Sequence, residues 1–246
     1  GWVYNYTQLN LIGVIEELTI CIVINYYFWI EKDKKTIYET IKTSVQDACE
    51  KFNPIPGFNM IRYKKLEHRD YAKEHLIQMY ERVPYKKSSF TEVTLKDPLM
   101  DAICDPTSYY ARNTGKNIFI RLANSYPKQT IPLVKEAFKS SNLDKAYYIT
   151  EILLELKNIT EIVSIEDLFM LVNHPDPRIQ FNSIKLLQRY YEKIPRKPHL
   201  IAKNKEILLK NLEQTSNPAK EVEILRLLGN FPDLININLY LQKIRS

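Results

Sequence analysis

Glycine is scarce, with five in 246 residues. Phosphate loops need it wherever backbone must close on a ligand, and neither G-x-G-x-x-G nor G-x-x-x-x-G-K-[ST] occurs. This argues against a nucleotide-binding α/β fold. Cysteine is equally thin: Cys21, Cys49 and Cys104 are odd in number and far apart. They indicate neither a disulfide framework nor a C-x-x-C metal knuckle, and they fit a reducing compartment. Of the four histidines, His68 and His75 fall on one expected helix among acidic residues. Zinc takes ligands converging from more than one element, and no further Cys or H-E-x-x-H helix supplies them, so charged helix surface is the expectation. Ser183 and Cys104 are the candidate nucleophiles. Nothing in the sequence pairs either with a base, and such residues on packed helices serve structure. The chain is therefore expected to be non-catalytic, with no metal and no cofactor.

What is present fits a folded protein, with 45% hydrophobic and 26% charged residues. Charge is uneven along the chain. Residues 1–106 carry 14 Lys+Arg against 15 Asp+Glu, and residues 107–246 carry 21 against 14. Such an excess can serve an anionic partner or simply solvate a face. The first residue is Gly1 rather than methionine, so the chain reads as a processed or partial sequence, in which any targeting signal upstream would not be visible.

Four stretches can be laid over one another, beginning at Leu99, Leu133, Leu168 and Leu208, with spacings of 34, 35 and 40 residues. Each opens with a short apolar helix, turns through Asp, Asn, Ser or Pro, and closes with a longer helix. Apolar positions recur at helical spacing in the closing helices, as at Ile179, Ile184, Leu187 and Tyr190, or Val222, Leu225, Leu228 and Phe231. One face of each pair is thus meant for burial. The turns at Asp105-Pro106, Asn142-Leu143-Asp144, Asp176-Pro177 and Asn217-Pro218 supply a capping side chain, a proline or both where a helix begins. In the third turn, His174-Pro175-Asp176-Pro177, the histidine is expected to be exposed.

The clearest unit, residues 168–193, resembles a HEAT repeat. The matching residues are Leu168, Leu171, Asp176, Pro177, Ile179, Ser183, Leu186 and Leu187, and Gln180 stands where that family often has arginine. The other three units depart from the pattern with bulky Tyr109 and Tyr147 near the turn and with Glu221 in place of a small residue. The resemblance spans about residues 96–246 and implies an α-solenoid, a fold that mostly serves as a protein-binding scaffold. It also touches alkylpurine DNA glycosylases, which use similar repeats, but Trp2 and Trp29 lie outside the repeats and no Trp-Asp-Arg set carries over.

The first ninety-five residues read differently. Residues 18–30, LTICIVINYYFWI, hold thirteen uncharged residues followed by EKDKK. The run is short of the ~20 residues that span a bilayer, and Glu16-Glu17 block its extension, so a buried strand or pair of strands is expected; a membrane-proximal segment over 12–30 is the alternative. Residues 35–52 place Ile37, Ile41, Val45, Ala48 and Phe52 on one side of a helix that stops at NPIPGFN. MIRYKKL is expected as a short strand, EHRDYAKEHLIQMYER as a helix and VPYKKSSFTEVTLKDP as a linker. The expected architecture is therefore mainly α: a small α+β or irregular cap over 1–95, then a solenoid of HEAT-like hairpins over 96–246.

Candidate partner-binding residues follow from tyrosine doublets at 109–110, 147–148 and 190–191. Neighbours on a helix point about a hundred degrees apart, so only one ring of each doublet can face inward. Tyr110, Arg112, Lys145, Tyr148, Arg189 and Lys193, with Arg196 and Lys197 from the proline-broken basic insertion KIPRKPHLIAKNK, are the candidate contacts. The leading expectation is a cytoplasmic scaffold binding a protein partner on a curved face. Nucleic acid bound through the basic C-terminal half, or attachment at the cytoplasmic face of a membrane through the N-terminal segment, are the alternatives.

Overall fold

The computed structural model describes residues 34–62, 66–86, 92–193 and 198–229, together with Ile22 and Lys32, and it contains no strand among them. Helix α1 covers residues 34–50. It is followed by α2 (Ile55–Ile61), α3 (Leu66–Lys86), α4 (Val93–Ile103), α5 (Tyr109–Ser125), α6 (Pro127–Lys139) and α7 (Leu143–Leu153). Then come α8 (Ile159–Ile162), α9 (Ile165–Val172), α10 (Pro177–Lys193), α11 (Pro198–Gln214) and α12 (Pro218–Gly229). No helix among the described residues is long and apolar enough to cross a membrane. The uncharged run at 18–30 lies outside them except for Ile22.

Among the described residues the N-terminal elements are helical, which departs from part of the expected pattern. Phe52 adopts the left-handed conformation (φ 58°), and the Asn53 N–H reaches back to the Ala48 carbonyl at 2.8 Å. That six-to-one bond closes α1. Pro54 and Pro56 do end α1, but they also open α2, because the first turn of a helix has no use for their missing N–H groups. The strand expected at 60–66 is not formed among the described residues. Gly57, Phe58, Met60 and Ile61 are buried at helical spacing, so Met60 and Ile61 complete α2 and Leu66 opens α3. The linker expected at 83–98 is helical at both ends. Val83 and Leu95 are buried and the Tyr80 hydroxyl donates to the Leu95 carbonyl at 2.7 Å, so both ends belong to the core. Of the stripe expected on α1, Val45 is buried but Ile37 is 59% exposed.

From α2 onward, pairs of helices recur. α2 packs on α3, α4 on α5, α6 on α7, α9 on α10 and α11 on α12. The second helices also meet one another in sequence order, α3 with α5, α5 with α7, α7 with α10 and α10 with α12. One cluster of buried apolar side chains runs from Val45 to Leu228, and α4 passes without a break through residues 95 and 96, where a boundary was expected. Gly115 lets α5 pass close to the end of α4. A Cβ there would stand 3.0 Å from the Ile103 backbone nitrogen.

Polar side chains tie one pair to the next at a constant remove. Asn182 donates to Thr150 Oγ1 (3.1 Å), Arg189 to the Leu156 carbonyl (2.8 Å), Gln188 to the Glu223 carbonyl (2.6 Å) and Asn158 to the Ala123 carbonyl (2.9 Å). Lys96 meets Glu136 at 2.7 Å, and Arg121 meets Glu81 at 2.9 Å. These partners stand 32–40 residues apart in the chain.

The turns behave as their composition indicates. Asn142 accepts from the Asp144 N–H (3.0 Å), Asp176 from Arg178 (2.8 Å), and Asn217 from Ala219 (3.0 Å). Asp105 works one step earlier, accepting from Thr107 and Ser108, while Ser108 itself caps α5. Of the eight residues matched to the repeat pattern, all but Pro177 are buried. Two expectations are corrected. Val222 is 51% exposed, because Lys220, Ile224, Leu227 and Leu228 set the inward face of α12; Phe231 lies outside the described residues. His174 is half-buried, its Nδ1 accepting the Asp176 N–H at 3.1 Å, so it braces the turn from within.

Candidate functional site

Opposite their buried stripes, the second helices present polar and aromatic side chains three and four residues apart. On α5 these are Tyr109, Arg112 and Lys116; on α7, Tyr148 and Glu151; on α10, Arg178, Phe181 and Lys185. Two hollows lie among them. One, of about 170 Å³, opens between α5 and α7 over Ile103 and Ile152, with Tyr109 and Tyr148 at its walls. The other, of about 630 Å³, is lined by Tyr147, Glu155, Arg178, Phe181 and Lys185. Lys116 and Glu151 line both. The hollows are therefore adjacent, with Lys116 and Glu151 between them, and are treated together as a groove over α5, α7 and α10.

Most of the charge in the groove is already engaged. Lys116 pairs with Glu155 at 2.5 Å. The Tyr147 hydroxyl donates to Glu151, and that bond to an acidic acceptor pushes the phenol up to about 12. Arg178 reaches Asp176 at 2.7 Å and Asp144 at 3.5 Å, with its guanidinium 4.5 Å from the centre of the Tyr147 ring. The Asp176 hydrogen bond holds that guanidinium above its ordinary pKa. The cations at the two ends differ. Arg112 donates to the Asp105 carbonyl, and Lys185 sits 4.3 Å from the Phe181 ring centre. Neither makes a carboxylate pair within 4.0 Å among the described residues, although Glu151 lines the hollow of each.

Of the residues expected at a binding surface, Arg112 and Tyr148 line the groove. Tyr110 turns away, its ring covered by the Arg69 guanidinium at 3.9 Å. Lys145 faces a separate hollow of about 280 Å³ with Lys96, Leu133 and Lys139. Arg189 is spent on the Leu156 carbonyl, Lys193 is exposed at the end of α10, and Arg196 and Lys197 lie outside the described residues. The doublets pair internally, with ring centroids 5.9, 5.2 and 6.4 Å apart. In the first doublet both rings are exposed rather than one, because they stand on the opening turn of α5 before its buried face begins. Sequence reasoning missed Lys116, Glu151, Arg178, Phe181 and Lys185. Their signal is the regular polar stripe opposite each apolar one, which is less conspicuous than paired tyrosines.

The remaining reactive groups are held in structural roles. Ser183 is fully buried and donates to the Ile179 carbonyl at 2.7 Å. Burial pushes the free thiols of Cys49 and Cys104 up to about 11 each, away from the thiolate form that attacks. His68 and His75 stack on Tyr38 (4.0 Å) and Tyr71 (4.2 Å). No cluster of metal-ligating side chains occurs among the described residues. Lys220 is buried, donating to Gln180 Oε1 (2.5 Å) and Asn211 Oδ1 (2.8 Å), and desolvation lowers its pKa. Its ammonium pins α10, α11 and α12 together. No protein-family model matches this chain, and no curated protein matches it.

Proposed function

We propose that this chain is an α-solenoid of HEAT-like hairpins acting as a non-catalytic, cytoplasmic scaffold, and that it binds a protein partner along the groove over α5, α7 and α10. The carrying observation is the groove's composition: two adjacent hollows with aromatic walls, an apolar floor and charges of both signs. That mixture fits a polypeptide, whose side chains are themselves mixed. The solenoid reading is supported by the sequence-ordered contacts of the second helices and by polar ties spanning 32–40 residues. Each unit in such an array touches only its neighbours. Nucleic acid, the alternative raised by the basic half, is less favoured in the groove, because Glu151 and Glu155 would face the phosphates and Lys116 and Arg178 are already paired.

Photo-cross-linking tests this reading. A benzophenone side chain placed at Tyr148 is expected to capture a discrete protein that binds the purified chain saturably. The same group at Met170, 51% exposed on α9, is expected not to. Equal labelling from both positions, or cross-links to nucleic acid alone, would overturn it.

A further inference from the structure

We infer that the groove's occupant is an extended acidic segment with one aromatic side chain, the ring entering the hollow between α5 and α7 and carboxylates meeting Arg112 and Lys185. This rests on the reading of the second-helix face as a protein-binding surface and narrows it to a ligand chemistry.

The small hollow sets the apolar anchor. A cavity of about 150 Å³ holds a benzene ring, and this one, at about 170 Å³, has Ile103 and Ile152 beneath and Tyr109 and Tyr148 beside it. A phenylalanine, tyrosine or tryptophan ring fits it, and aromatic anchors in pockets carry much of the binding energy at interfaces.

The end cations set the flanking charges. In the centre, Lys116 and Glu155 neutralise one another, Arg178 is held by Asp176 and Asp144, and Glu151 is engaged by Tyr147. Only Arg112, beside the small hollow, and Lys185, in the large one, offer groove charge with no carboxylate of the protein's own within 4.0 Å among the described residues. An acidic ligand side chain complements each without breaking an existing pair. A basic ligand would have to displace those ends and gains only the already occupied glutamates.

The helix spacing sets the ligand's length. Arg112 on α5 and Lys185 on α10 are separated by α7, two interaxial steps of about 8–10 Å each. An extended chain covers such a distance in about five or six residues. The recognised segment therefore carries two acidic positions about five or six residues apart, with the aromatic residue next to the one that meets Arg112.

The probe is a library of short random peptides displayed on phage and selected against the whole chain, with selected peptides then synthesised and titrated. Acidic peptides with one aromatic residue are expected to be enriched. Their affinity should fall about tenfold or more with Arg112→Glu or Lys185→Glu, and less with Arg112→Gln or Lys185→Gln. Lys139→Glu, outside the groove, should leave it unchanged. Circular dichroism on each variant separates lost binding from lost structure. Selected peptides that lack acidic residues, or that ignore both charge reversals while still competing with the Tyr148 cross-link, would overturn this inference and leave the protein-binding face standing. If no peptide is selected and labelled single-stranded DNA is retained in a salt-dependent way that both reversals abolish, this inference and the protein-binding reading fall together.

Discussion

The junctions between neighbouring second helices use the same kind of helix and close differently. Between α7 and α10 the buried interface includes Asn182 on Thr150, and the next junction adds Gln188 on Glu223 and Lys220 on Gln180. Between α5 and α7 the contact is slighter, and beside the Asn158 bond to the Ala123 carbonyl the tie is the exposed ion pair of Lys116 with Glu155, just past the end of α7. The hollow over Ile103 and Ile152 opens at this α5–α7 junction. A repeated helical pair thus leaves a recess at the joint with the least interhelical packing.

Truncating one core residue on each side should give the largest difference. Leu187, fully buried on α10, sits where neighbours are fixed, so Leu187→Ala is expected toward the top of the range of about 2–5 kcal/mol for such cavities. Ile152 is 2% exposed but floors the open hollow. Ile152→Ala is expected near the bottom of that range, because the space it vacates joins a solvent-filled recess. Urea unfolding of both variants measures the contrast, and equal losses would mean that the joints are equally tight.

Asn182→Ala comes next. It leaves the buried Thr150 oxygen without its donor, an expected cost of about 1–3 kcal/mol. Asn182→Asp should be worse than alanine, since it buries a carboxylate beside a hydroxyl that already donates to the Tyr147 carbonyl. Retained stability in both would show that this link does not hold the tight joint.

The helical pairs and their turns were legible because they rest on local chemistry. Apolar spacing placed Ile179, Ile184 and Leu187 inward, and Asn142, Asp176 and Asn217 cap as their position before a helix indicates. The N-terminal elements were misread where two signals compete. Pro54 and Pro56 mark both an end and a beginning, and Met60 and Ile61 suit a strand until Gly57 and Phe58 are seen to share their helical face. The groove was half legible, with Arg112 and Tyr148 found but Lys116, Glu151 and Lys185 missed. Which exposed stripe meets a neighbouring stripe depends on the packing between pairs, and a single sequence does not state it.

The capped turn ahead of α5 extends the comparison to pH. Burial raises the Asp105 carboxyl, but Arg62 at 2.6 Å and the N–H groups of Ser108 and Thr107 outweigh it and hold the group at about 2, against an ordinary 3.8. A carboxyl depressed in the folded state contributes stability that is complete above its unfolded value and is lost as pH falls through the folded one. The contribution, about 1–2 kcal/mol, should therefore disappear between about pH 4 and pH 2. Asp105→Asn is expected to be less stable at neutral pH and to flatten that acid limb. An unchanged slope would place the acid sensitivity elsewhere, with Asp176, whose carboxyl Arg178 also holds low, as the next group to replace.

The smallest effect is expected at the loose joint itself. Lys116 and Glu155 are 35% and 50% exposed, and pairs in such contact with water couple by less than about 1 kcal/mol. A double-mutant cycle with Lys116→Ala and Glu155→Ala should return that small coupling at low salt and nearly nothing at high salt. A coupling well above 1 kcal/mol would mean that the ion pair is a structural clasp, and the joint would then be tight by other means than buried amides. A negligible coupling leaves the joint held mainly by packing on either side of the hollow. In that case removing the pair should leave the fold intact and alter only what the groove binds.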